Sequence, residues 1–598
     1  MPERSEGEAV AELAKRRGFF FGAAGAYGGV GGFYTYGPQG ASLKRNVEDA
    51  WRERFAIEEG NLEIDGPTVM PEPVFEASGH LDGFDDMLVE CPQCGESHRA
   101  DHLIEDATGV EEAESLPIPE VEALIEEHDL ACPNCGAPLA GEAVKEFNLM
   151  FGTTIGPGSS TPGYLRPETA QGIFVEFPRL KEYARNRLPF GVTQIGRAYR
   201  NEISPRKSLV RTREFTQAEL EQFVDPERDE PDLSAVADVA VRLYPATEQT
   251  DDDGSIVDTT IGEAVADGVI GDAWVGYFLG VASEWYDSVG VDMDRFRFRQ
   301  HLAGERAHYA ADCWDAEAEV DGDWIEIAGF AYRGSYDLSK HAEHAADDFT
   351  VFRQYDEPKT VETAVVDPDM SVLGPEFGGA AADVADALQD LAERDPSAFE
   401  GSEVTVEAGD TEYAVPTDVA NFRVEEQTES GEHVTPHVVE PSFGVDRTVY
   451  TLVAHAMRTD EVDGETRTYL DLSPTVAPTD VGVFPLVSNV EDLTERADEL
   501  VADLRAAGFS VVHDDSGSIG RRYRRQDEVG TPFCVTVDRD GLEGDGPDSV
   551  TVRERDSAAQ VRVPIDDLVS VLLDLRAGVR TFDDVLDAYD PVSPGAEA

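Results

Sequence analysis

Residues 196–223, GRAYRNEISPRKSLVRTREFTQAELEQF, are the stretch that most constrains how this chain folds. Both arms alternate in the manner of β-strands, in which successive side chains point to opposite faces of a sheet. Arg200 and Glu202 therefore share one face of the first arm. The corresponding face of the second arm carries Arg213, Phe215, Gln217, Glu219 and Glu221. We expect an antiparallel hairpin that presents arginines, one aromatic ring and carboxylates on the surface of a sheet.

The chemistry of this hairpin suits a small zwitterion lying beside a polyphosphate. Guanidinium groups bind carboxylates and phosphates through two parallel hydrogen bonds, and an aromatic face stacks on a planar base. The connecting loop contains Pro205, Arg206, Lys207 and Arg211. A salt-bridged surface hairpin without any ligand is the alternative interpretation.

Length and local composition limit the class of protein. A chain of 598 residues exceeds one hydrophobic core, so we expect two to four domains. No apolar run approaches the ~20 residues that span a bilayer. The N-terminal stretch MPERSEGEAVAELAKRRG lacks the apolar core of a signal peptide. We therefore predict a cytoplasmic protein with no membrane partner.

The charge of the chain is its compositional outlier, with 122 acidic against 48 basic residues and a net charge of −74. Taken alone, this excess argues against a nucleic-acid partner, because phosphate binding requires a basic surface. The acids are dispersed along the chain, however, and only 7 of the basic residues are lysines. This pattern resembles proteins of extreme halophiles, whose acidic surfaces stay hydrated in strong salt. A local basic patch is still required for RNA.

Four of the six cysteines form two CPxCG turns, CPQCG and CPNCG. Two CxxC turns place four thiolates around one tetrahedral ion, and the glycine after each second cysteine lets the turn close. The predicted ligands of a structural zinc ion are Cys91, Cys94, Cys132 and Cys135. Disulfides are the alternative, which an intracellular chain disfavours.

Several local patterns predict secondary structure. The segment GAAGAYGGVGG lacks the GK[ST] ending of a phosphate loop, and we interpret it as tight turns around a buried Phe/Tyr cluster. Apolar residues at helical spacing predict a helix over 40–55, followed by a strand near 63–69. A second helix is expected over 172–186.

From Ala477 the pattern changes to alternating strands and helices, as in an α/β domain. Within it, GRRYRRQ is the strongest basic patch of the chain. Arginines around a tyrosine suit an unstacked RNA loop, and the predicted RNA-binding residues are Arg521, Arg522, Tyr523, Arg524 and Arg525. A helix start with solvated arginines is the alternative.

Three strings, RPETAQG (166–172), the hairpin and HVVEPSFGVDR (437–447), are specific in combination. In this order they resemble the class II aminoacyl-tRNA synthetases, and in detail the glycyl-tRNA synthetase family of archaeal/eukaryal-like dimeric type. The helix and strand over 40–69 resemble the dimer motif of that class, and residues 477–598 resemble its anticodon-binding domain. The string RADHLIED from Arg99 is also similar to this family.

The resemblance implies an α+β fold, with an antiparallel-sheet catalytic domain, zinc-knuckle and helical insertions, and a C-terminal α/β anticodon-binding domain. We expect eight segments: catalytic core over 1–90, 136–225, 301–341 and 426–470; a zinc-knuckle insertion over 91–135; a helical insertion over 226–300, continued over 342–425; and the anticodon-binding domain over 477–598.

The implied function is that of a glycine–tRNA ligase, which activates glycine with Mg–ATP and transfers it to the 3′ end of tRNA(Gly). A homodimer is expected. A class II synthetase for another amino acid, prolyl- or threonyl-like, is one alternative. A non-catalytic tRNA-binding paralogue is another, which Arg200, Arg211 and Arg447 disfavour, because such paralogues lose these arginines.

The resemblance also implies roles for individual residues, carried over position by position. The catalytic set is Arg200, Glu202, Arg211 and Arg447. The ATP-binding set is Arg200, Asn201, Glu202, Val210, Arg211, Thr212, Arg213, Glu214, Phe215, Glu326, Ile327, Gly444, Val445, Asp446 and Arg447. The glycine-binding set is Arg99, Glu168, Phe215, Thr216, Gln217, Ala218, Glu219, Glu440, Pro441, Ser442, Phe443 and Gly444.

Two of these implied roles can also be argued from the residues. Glu326 lies between Ile325 and Ile327 on an apolar strand, where an unpaired inward carboxylate is costly, and a role as Mg–ATP ligand accounts for it. Three carboxylates, Glu168, Glu219 and Glu440, around one ammonium group would leave little room for a side chain, which fits glycine.

Overall fold

The computed structural model describes residues 5–108, 113, 116–157, 161–205, 208–250, 254–302, 312–409, 411–462, 464–543 and 548–592. Arg206 and Lys207 of the basic loop lie outside the described residues. None of the helices within these ranges combines the length and apolarity needed to cross a bilayer.

The helices of the described ranges are α1 Glu6–Arg17, α2 Pro38–Arg52, α3 Glu72–Ala77, α4 His80–Gly83, α5 Ala100–Thr108, α6 Ile118–Glu127, α7 Ala170–Phe174, α8 Phe177–Tyr183, α9 Ala246–Gln249, α10 Ile261–Ala266, α11 Ala273–Val289, α12 Tyr336–His344, α13 Met370–Phe377, α14 Ala381–Arg394, α15 Thr417–Ala420, α16 Val445–His455, α17 Glu491–Ala506, α18 Ile519–Asp527, α19 Arg539–Glu543, α20 Ile565–Arg576 and α21 Phe582–Ala588.

The strands are β1 Phe20–Gly22, β2 Tyr34–Tyr36, β3 Leu62–Glu63, β4 Val69–Pro71, β5 Asp85–Glu90, β6 Ser97–Arg99, β7 Val144–Asn148, β8 Phe151–Ile155, β9 Thr161–Leu165, β10 Phe190–Tyr199, β11 Glu214–Val224, β12 Ala240–Tyr244, β13 Val257–Thr260, β14 Phe296–Gln300, β15 Cys313–Val320, β16 Asp323–Gly334, β17 Val351–Val365, β18 Glu403–Ala408, β19 Thr411–Pro416, β20 Arg423–Val434, β21 His437–Gly444, β22 Met457–Val462, β23 Glu465–Leu470, β24 Val481–Pro485, β25 Val511–His513, β26 Phe533–Val537, β27 Ser549–Glu554, β28 Gln560–Pro564 and β29 Asp590–Pro591.

A central sheet of nine strands, in the order β13-β12-β14-β15-β16-β21-β11-β10-β3, organises the described N-terminal part. The six strands from β14 to β10 pair antiparallel. The predicted hairpin is its β10–β11 pair, in which Tyr199 pairs with Glu214 and Gln194 with Glu219. Strand β21 inserts beside β11, with Ser442 opposite Glu219. The antiparallel sheet expected from the sequence is therefore confirmed.

Helices α2, α11 and α16 bury the apolar face of this sheet. The predicted helix over 40–55 is confirmed as α2, which buries Leu43, Val47 and Trp51 and continues through a wider helical turn to Glu58. Trp51 and Phe55 both contact Phe443 of β21, at ring-centroid distances of 5.8 and 4.8 Å. This packing leaves the opposite face of β11 and β21 for the acidic side chains.

Residues 226–300, which we expected to form a helical insertion, also contribute β12, β13 and β14 to the central sheet. Helix α11 is what makes the sequence of this segment look helical. In the short strands, alternate side chains are buried: Val241 and Leu243 in β12, and Phe296 and Phe298 in β14. Strands this short give a weak periodic signal beside a 17-residue helix.

Two other local expectations need correction. The helix expected over 172–186 is two short helices, α7 and α8, because Pro178 begins a new first turn. In the glycine-rich segment Phe19 and Phe20 are buried as expected, but Tyr27 is 94% exposed. The segment therefore does not enclose its own tyrosine.

The C-terminal domain has a six-stranded sheet in the order β25-β24-β26-β27-β28-β29. Strands β25, β24 and β26 are parallel, and the remaining pairs are antiparallel. Helices α17 and α20 supply Leu500, Leu504 and Leu572 to its core. The expected α/β domain is thereby confirmed.

Residues 350–435 form a separate compact unit. It contains the β17–β20 ribbon, the β18–β19 hairpin and helices α13 and α14. Val384 and Leu388 of α14 are buried in its own core with Val404 and Val415.

A buried ion network ties the C-terminal domain to the N-terminal part. Asp527, at the end of α18, accepts hydrogen bonds from Arg553 Nη1 at 2.9 Å and from Arg467 Nη1 of β23 at 3.2 Å. All three side chains are at least 95% buried. The network fixes one domain against the other because none of its charges can be solvated separately.

We expect Asp527→Ala to lower the free energy of unfolding by about 3–5 kcal/mol, because two buried arginines lose a shared carboxylate. Denaturant unfolding of the full chain measures the change. Asp503→Ala, on the exposed face of α17, is the matched control and should change stability by less than about 0.5 kcal/mol. Equal effects of the two variants would contradict the structural role of the network.

Candidate active site

The predicted site residues line a cavity on the polar face of β11, β16 and β21. Its lining includes predicted residues Arg200, Glu202, Val210, Arg211, Thr212, Phe215, Thr216, Gln217, Glu326, Ile327, Ser442, Gly444, Asp446 and Arg447. Residues far apart in sequence therefore meet in one pocket.

Arg200 is held between two aromatic rings before any ligand binds. Its guanidinium lies 5.5 Å from the centroid of Phe84 and 5.4 Å from that of Phe215. Its Nε donates to the carbonyl of Pro167 at 3.2 Å. Arg200 lines the cavity, and within the described part of the chain no carboxylate forms an ion pair with it.

Arg447 is fixed on the other side of the cavity, at the start of α16. Its Nε donates to the carbonyl of Val210 at 2.9 Å, and its Nη1 to that of Glu326 at 2.8 Å. An ion pair of 3.0 Å joins Nη1 to Glu326 Oε2. The charge of Arg447 lowers the pKa of Glu326, so this carboxylate is ionised.

We expected Glu326 to be an inward-facing carboxylate on an apolar strand, and this expectation is wrong. Its side chain is 52% exposed, whereas Ile325 and Ile327 are buried. Strand alternation sends Glu326 into the cavity and not into the core, so the chain carries no uncompensated inward carboxylate there. Its position at the cavity remains compatible with a metal–phosphate ligand.

Arg211 and Arg99 come together from the hairpin and from the cysteine-containing insertion. Arg211 Nε lies 3.8 Å from Glu202 Oε2, and its Nη1 lies 3.5 Å from His102 Nδ1. Arg99 pairs with Asp86 at 3.3 Å and with Asp101. A second cavity is lined by Arg99, Arg211 and Arg447 together. Arg99 therefore lies beside Arg211 and Arg447, and it is not hydrogen-bonded to any of the three predicted glycine carboxylates among the described contacts.

The three predicted carboxylates occupy one face of the sheet beside the cavity. Glu219 accepts hydrogen bonds from Ser442 Oγ at 2.7 Å and from the hydroxyl of Thr169. Glu168 accepts from Gln171 Nε2 at 2.9 Å and lies 3.7 Å from His80 Nε2. We call Glu168, Glu219 and Glu440 the acidic well.

The carboxylates of the acidic well differ in protonation. Burial acts to raise the pKa of Glu168, but His80 and Arg333 outweigh it and hold this pKa below the usual range. Burial and the charge of Glu168 raise the pKa of Glu219. Burial raises the pKa of Glu440 to about 7, against the opposing effect of Arg333. A cation bound among these carboxylates would therefore lower the raised pKa values of Glu219 and Glu440.

Arg333 is the functional-site residue that the sequence did not reveal. Its Nη1 donates to Glu440 at 2.5 Å, and its Nε and Nη2 donate to Asp337 at 2.8 and 2.9 Å. The guanidinium also lies over Phe174, 5.5 Å from the ring centroid. The Arg and Asp four residues apart in YRGSYD were the only local signal, and such a pair is common on surfaces.

Glu221 lies behind the well on β11 and is completely buried. Neither of its oxygens has a hydrogen-bond partner among the described residues. Burial and the neighbouring Glu440 raise its pKa well above the usual value, so Glu221 is neutral. Protonation is what allows an acid to occupy this position.

Several predicted residues hold the framework of the site together. Asp446 accepts from the backbone N of Thr216 at 2.5 Å and from the hydroxyl of Tyr36, which anchors α16 to β11. Arg213 donates to the carbonyl of Glu202 at 2.9 Å. Asn201 donates its backbone N–H to Leu149 at 2.7 Å. The remaining predicted residues are Glu214, which pairs with Arg197, and the buried Ala218, Pro441, Phe443 and Val445.

The four cysteines converge as the sequence predicts. Their sulfur atoms lie within 4.8 Å of one another, with Cys91–Cys135 at 3.5 Å and Cys94–Cys132 at 3.7 Å. These separations exclude disulfides, whose sulfurs lie ~2.05 Å apart. They match the roughly 3.8 Å sulfur separation of a tetrahedral site with metal–sulfur bonds of ~2.3 Å. The cluster could therefore hold a metal ion.

His98 joins the cysteine cluster although the sequence analysis missed it. Its Nε2 lies 3.2 Å from Cys132 Sγ, and its side chain is buried. A ring N–H beside a ligand sulfur orients the ligand. The glycines of the turns, Gly95 and Gly136, have φ values of 72° and 74°, as the turn geometry requires.

The basic patch of α18 is partly structural. Arg522 is 1% exposed and donates to the carbonyls of Pro485 and Asp515 at 2.5 and 3.0 Å. Tyr523 is also buried, and its hydroxyl lies 2.6 Å from Thr536 Oγ1. The prediction that these two residues contact RNA is therefore wrong, because helical periodicity turns them inward. Arg521 is exposed, and Arg524 and Arg525 are half-buried.

Comparisons with known proteins agree with this geometry. Residues 160–252 match the tRNA synthetase class II core domain (G, H, P, S and T), and residues 480–575 match the anticodon-binding domain. The fold and the site thus define a class II aminoacyl-tRNA synthetase.

Curated relatives identify the family within this class. Glycine–tRNA ligases of Methanothrix thermoacetophila and Methanothermobacter thermautotrophicus are both 47% identical, over 96% and 95% of this chain and 98% and 99% of theirs. That of Methanocaldococcus jannaschii is 45% identical over 94% of this chain and 98% of its own. The chain belongs to the glycine–tRNA ligase family, as the three sequence strings implied.

Proposed function

We propose that the cavity binds ATP, that the acidic well binds glycine, and that the enzyme joins them as glycyl-adenylate before charging tRNA(Gly). The position of Ser442 carries this assignment. Ser442 lines the cavity, and its hydroxyl donates to Glu219 of the well at 2.7 Å. The two substrates would therefore abut at this residue. Full-length similarity to glycine–tRNA ligases supports the same activity.

In the first step, a carboxylate oxygen of glycine attacks the α-phosphorus of ATP, and the bond to the leaving pyrophosphate breaks. The nucleophile is already an anion, so no general base is required. Arg200 faces this point and neutralises the charge that builds on the α-phosphate. Its fixed position between two rings removes the entropic cost of orienting it.

The other cationic groups of the cavity would bind the remaining parts of ATP. Arg447 would cover the adenine face opposite Phe215. Arg211, oriented by Glu202, would bind the distal phosphates, and Arg99 lines the adjoining space. In the second step, the terminal ribose hydroxyl of tRNA attacks the glycyl carbonyl and AMP leaves.

Glu326 fits a ligand role for magnesium on the phosphates, since it is ionised, half exposed and in the cavity. Magnesium would neutralise phosphate charge there. The cysteine cluster fits a structural zinc ion, since four sulfur donors leave no open position for a substrate. His98 would then orient the Cys132 thiolate.

Glycine specificity follows from the charge and size of the well. Glu168 has a lowered pKa, whereas Glu219 and Glu440 have raised pKa values. An ammonium group among the three would favour the ionised form of Glu219 and Glu440. Glu221 and Arg333 close the floor behind these carboxylates. A side chain on the amino acid would have to displace one of these groups.

Several wider features belong to the same proposal: a homodimer, a cytoplasmic location, tRNA contact by Arg521, Arg524 and Arg525, and function at high salt. The acidic excess of the chain supports the last of these. The eight-segment division of the chain is proposed with the family assignment.

Glycine-dependent ATP–pyrophosphate exchange tests the assignment. We expect exchange with glycine and not with alanine, serine, proline or threonine. The Arg200→Ala substitution should lower the kcat of glycine-dependent exchange by about 10²–10³-fold, because a preoriented charge at the reacting phosphate is lost. Arg197→Ala, three residues earlier on β10 and exposed, is the control and should retain activity. Exchange with another amino acid would overturn the glycine assignment, and an active Arg200→Ala variant would overturn the mechanism.

The KM for glycine should depend on pH. The pKa of Glu440 is about 7 in the free enzyme, and the ammonium group of glycine favours the ionised carboxylate. Below pH 7, binding must therefore expel a proton, so KM should rise up to about tenfold for each unit by which pH falls. Above pH 7 it should level off. Glu440→Gln should give a higher KM without this dependence, and a flat profile in the parent enzyme would contradict the assigned role.

One zinc ion per chain is expected by elemental analysis, and Cys135→Ser should abolish it. Loss of the ion should also raise amide hydrogen exchange in residues 91–105 and 130–139, since the insertion has a small core of its own. Cys313→Ala, outside the cluster, is the control that should keep the ion. Zinc retained by Cys135→Ser would contradict the four-thiolate assignment.

A further inference from the structure

A loop at the N-terminal side of the site has no role in the chemistry described above. Residues 22–32, which we call the tyrosine loop, connect β1 to β2. Residues 24–31 are all exposed, and Tyr27 is 94% exposed at the apex, in a single turn over Gly25–Tyr27. A large aromatic side chain held this far into solvent does not stabilise the fold.

The base of the tyrosine loop is fastened to the ATP cavity. Arg213 is not among the residues that line the cavity. Its backbone N–H donates to the carbonyl of Gly32 at 2.8 Å, and its Nη1 donates to the carbonyl of Gly31 at 3.0 Å. Its Nη2 donates to the carbonyl of Glu202, which lines the cavity. A Cβ on Gly32 would lie 2.7 Å from Pro205 Cβ, so the loop packs closely on the hairpin loop. The base of the tyrosine loop therefore lies against the hairpin loop that leads into the cavity.

The tyrosine loop is also ordered by its own backbone. Tyr27 N and Gly29 N both donate to Ala24 O, at 2.9 and 3.1 Å, and Ala23 N donates to Phe33 O at 2.9 Å. At Gly25 and Gly28 no atom lies within 4 Å of where a Cβ would stand. The apex thus offers an aromatic face flanked by bare backbone, which lets a planar group approach closely.

The charge around this apex is unusual for the chain. Residues 18–43 contain no charged side chain, in a protein with 122 acidic residues and a net charge of −74. The tyrosine loop therefore adds no acidic group of its own to the surface that a polyanion would approach here. The acid-free segment lies beside the cavity that must admit the tRNA 3′ end.

We propose that Tyr27 stacks on an unpaired base of the tRNA 3′ end and guides the terminal ribose into the active site. This inference rests on the proposed function. Stacking on an aromatic side chain tolerates any base. Unlike a phosphate contact, it releases no counterions and so keeps its strength in salt. The tyrosine loop therefore supplies RNA affinity where ionic contacts are weak.

Tyr27→Ala tests this role in the full-length enzyme. We expect the KM for tRNA in glycine charging to rise about tenfold, with glycine-dependent pyrophosphate exchange unchanged. Tyr27→Trp should restore the parent KM, because its ring also stacks. Tyr183→Ala, at another exposed tyrosine (63%) on α8, is the matched control. The ratio of KM values between Tyr27→Ala and parent should persist when KCl is raised, whereas a phosphate contact would fade.

Three results would overturn the inference. An unchanged KM for tRNA in Tyr27→Ala would exclude the contact. A change in the oligomeric state of Tyr27→Ala, measured by size-exclusion chromatography, would show instead that the loop is a contact between copies of the chain. A ratio that falls with salt would assign an ionic role to the loop. Absence of glycine-dependent exchange in the parent enzyme would instead refute the proposed function, so the two failures are distinguishable.

Discussion

The concentration of buried carboxylates on one face of the central sheet is the constraint on which the site depends. Glu219, Glu221 and Glu440 lie on two adjacent strands, where like charges in proximity destabilise a sheet. The chain offsets this cost through Arg333, which binds Glu440, and through protonation of Glu221. The offset is incomplete, since the pKa values of Glu219 and Glu440 remain raised. The proposed binding of an ammonium group would lower these pKa values and complete the offset.

Two arginines on the cationic side of the pocket, Arg200 and Arg447, are held mainly by neutral groups. Arg200 rests between rings and on a carbonyl oxygen, and two of the contacts that hold Arg447 are carbonyls. Such contacts orient a guanidinium without cancelling its charge. An array of this kind stabilises charge that develops on a phosphate, since little reorganisation is needed when it appears. Arg447 also pairs with Glu326, a carboxylate that a metal ion could share, and Arg211 pairs with Glu202.

Local patterns allowed much of this site to be predicted, and long-range contacts explain what was missed. The β10–β11 hairpin, α2 and the cysteine turns follow from periodicity or spacing within about 20 residues. Arg333 and His98 act through partners 107 and 34 residues away, so no window of sequence displays them. Arg522 and Tyr523 were misassigned because basic composition was considered without the helical face. Glu326 shows the converse error, in which apolar neighbours suggested burial for a side chain that alternation points into a cavity.

The distribution of arginine explains why RNA contact by this chain cannot depend on a basic surface alone. Arg166, Arg333, Arg467, Arg522, Arg553 and Arg555 are all at most 6% exposed. Each donates to carbonyl or carboxylate oxygens inside the protein, as Arg522 does to Pro485 and Arg555 to Leu472. Arginines used in this way stabilise the interior and are not available to contact a ligand at the surface. The chain has 122 acidic residues and 48 basic ones. The proposed stacking of Tyr27 on an RNA base suits such a chain, because stacking requires no positive charge on the protein.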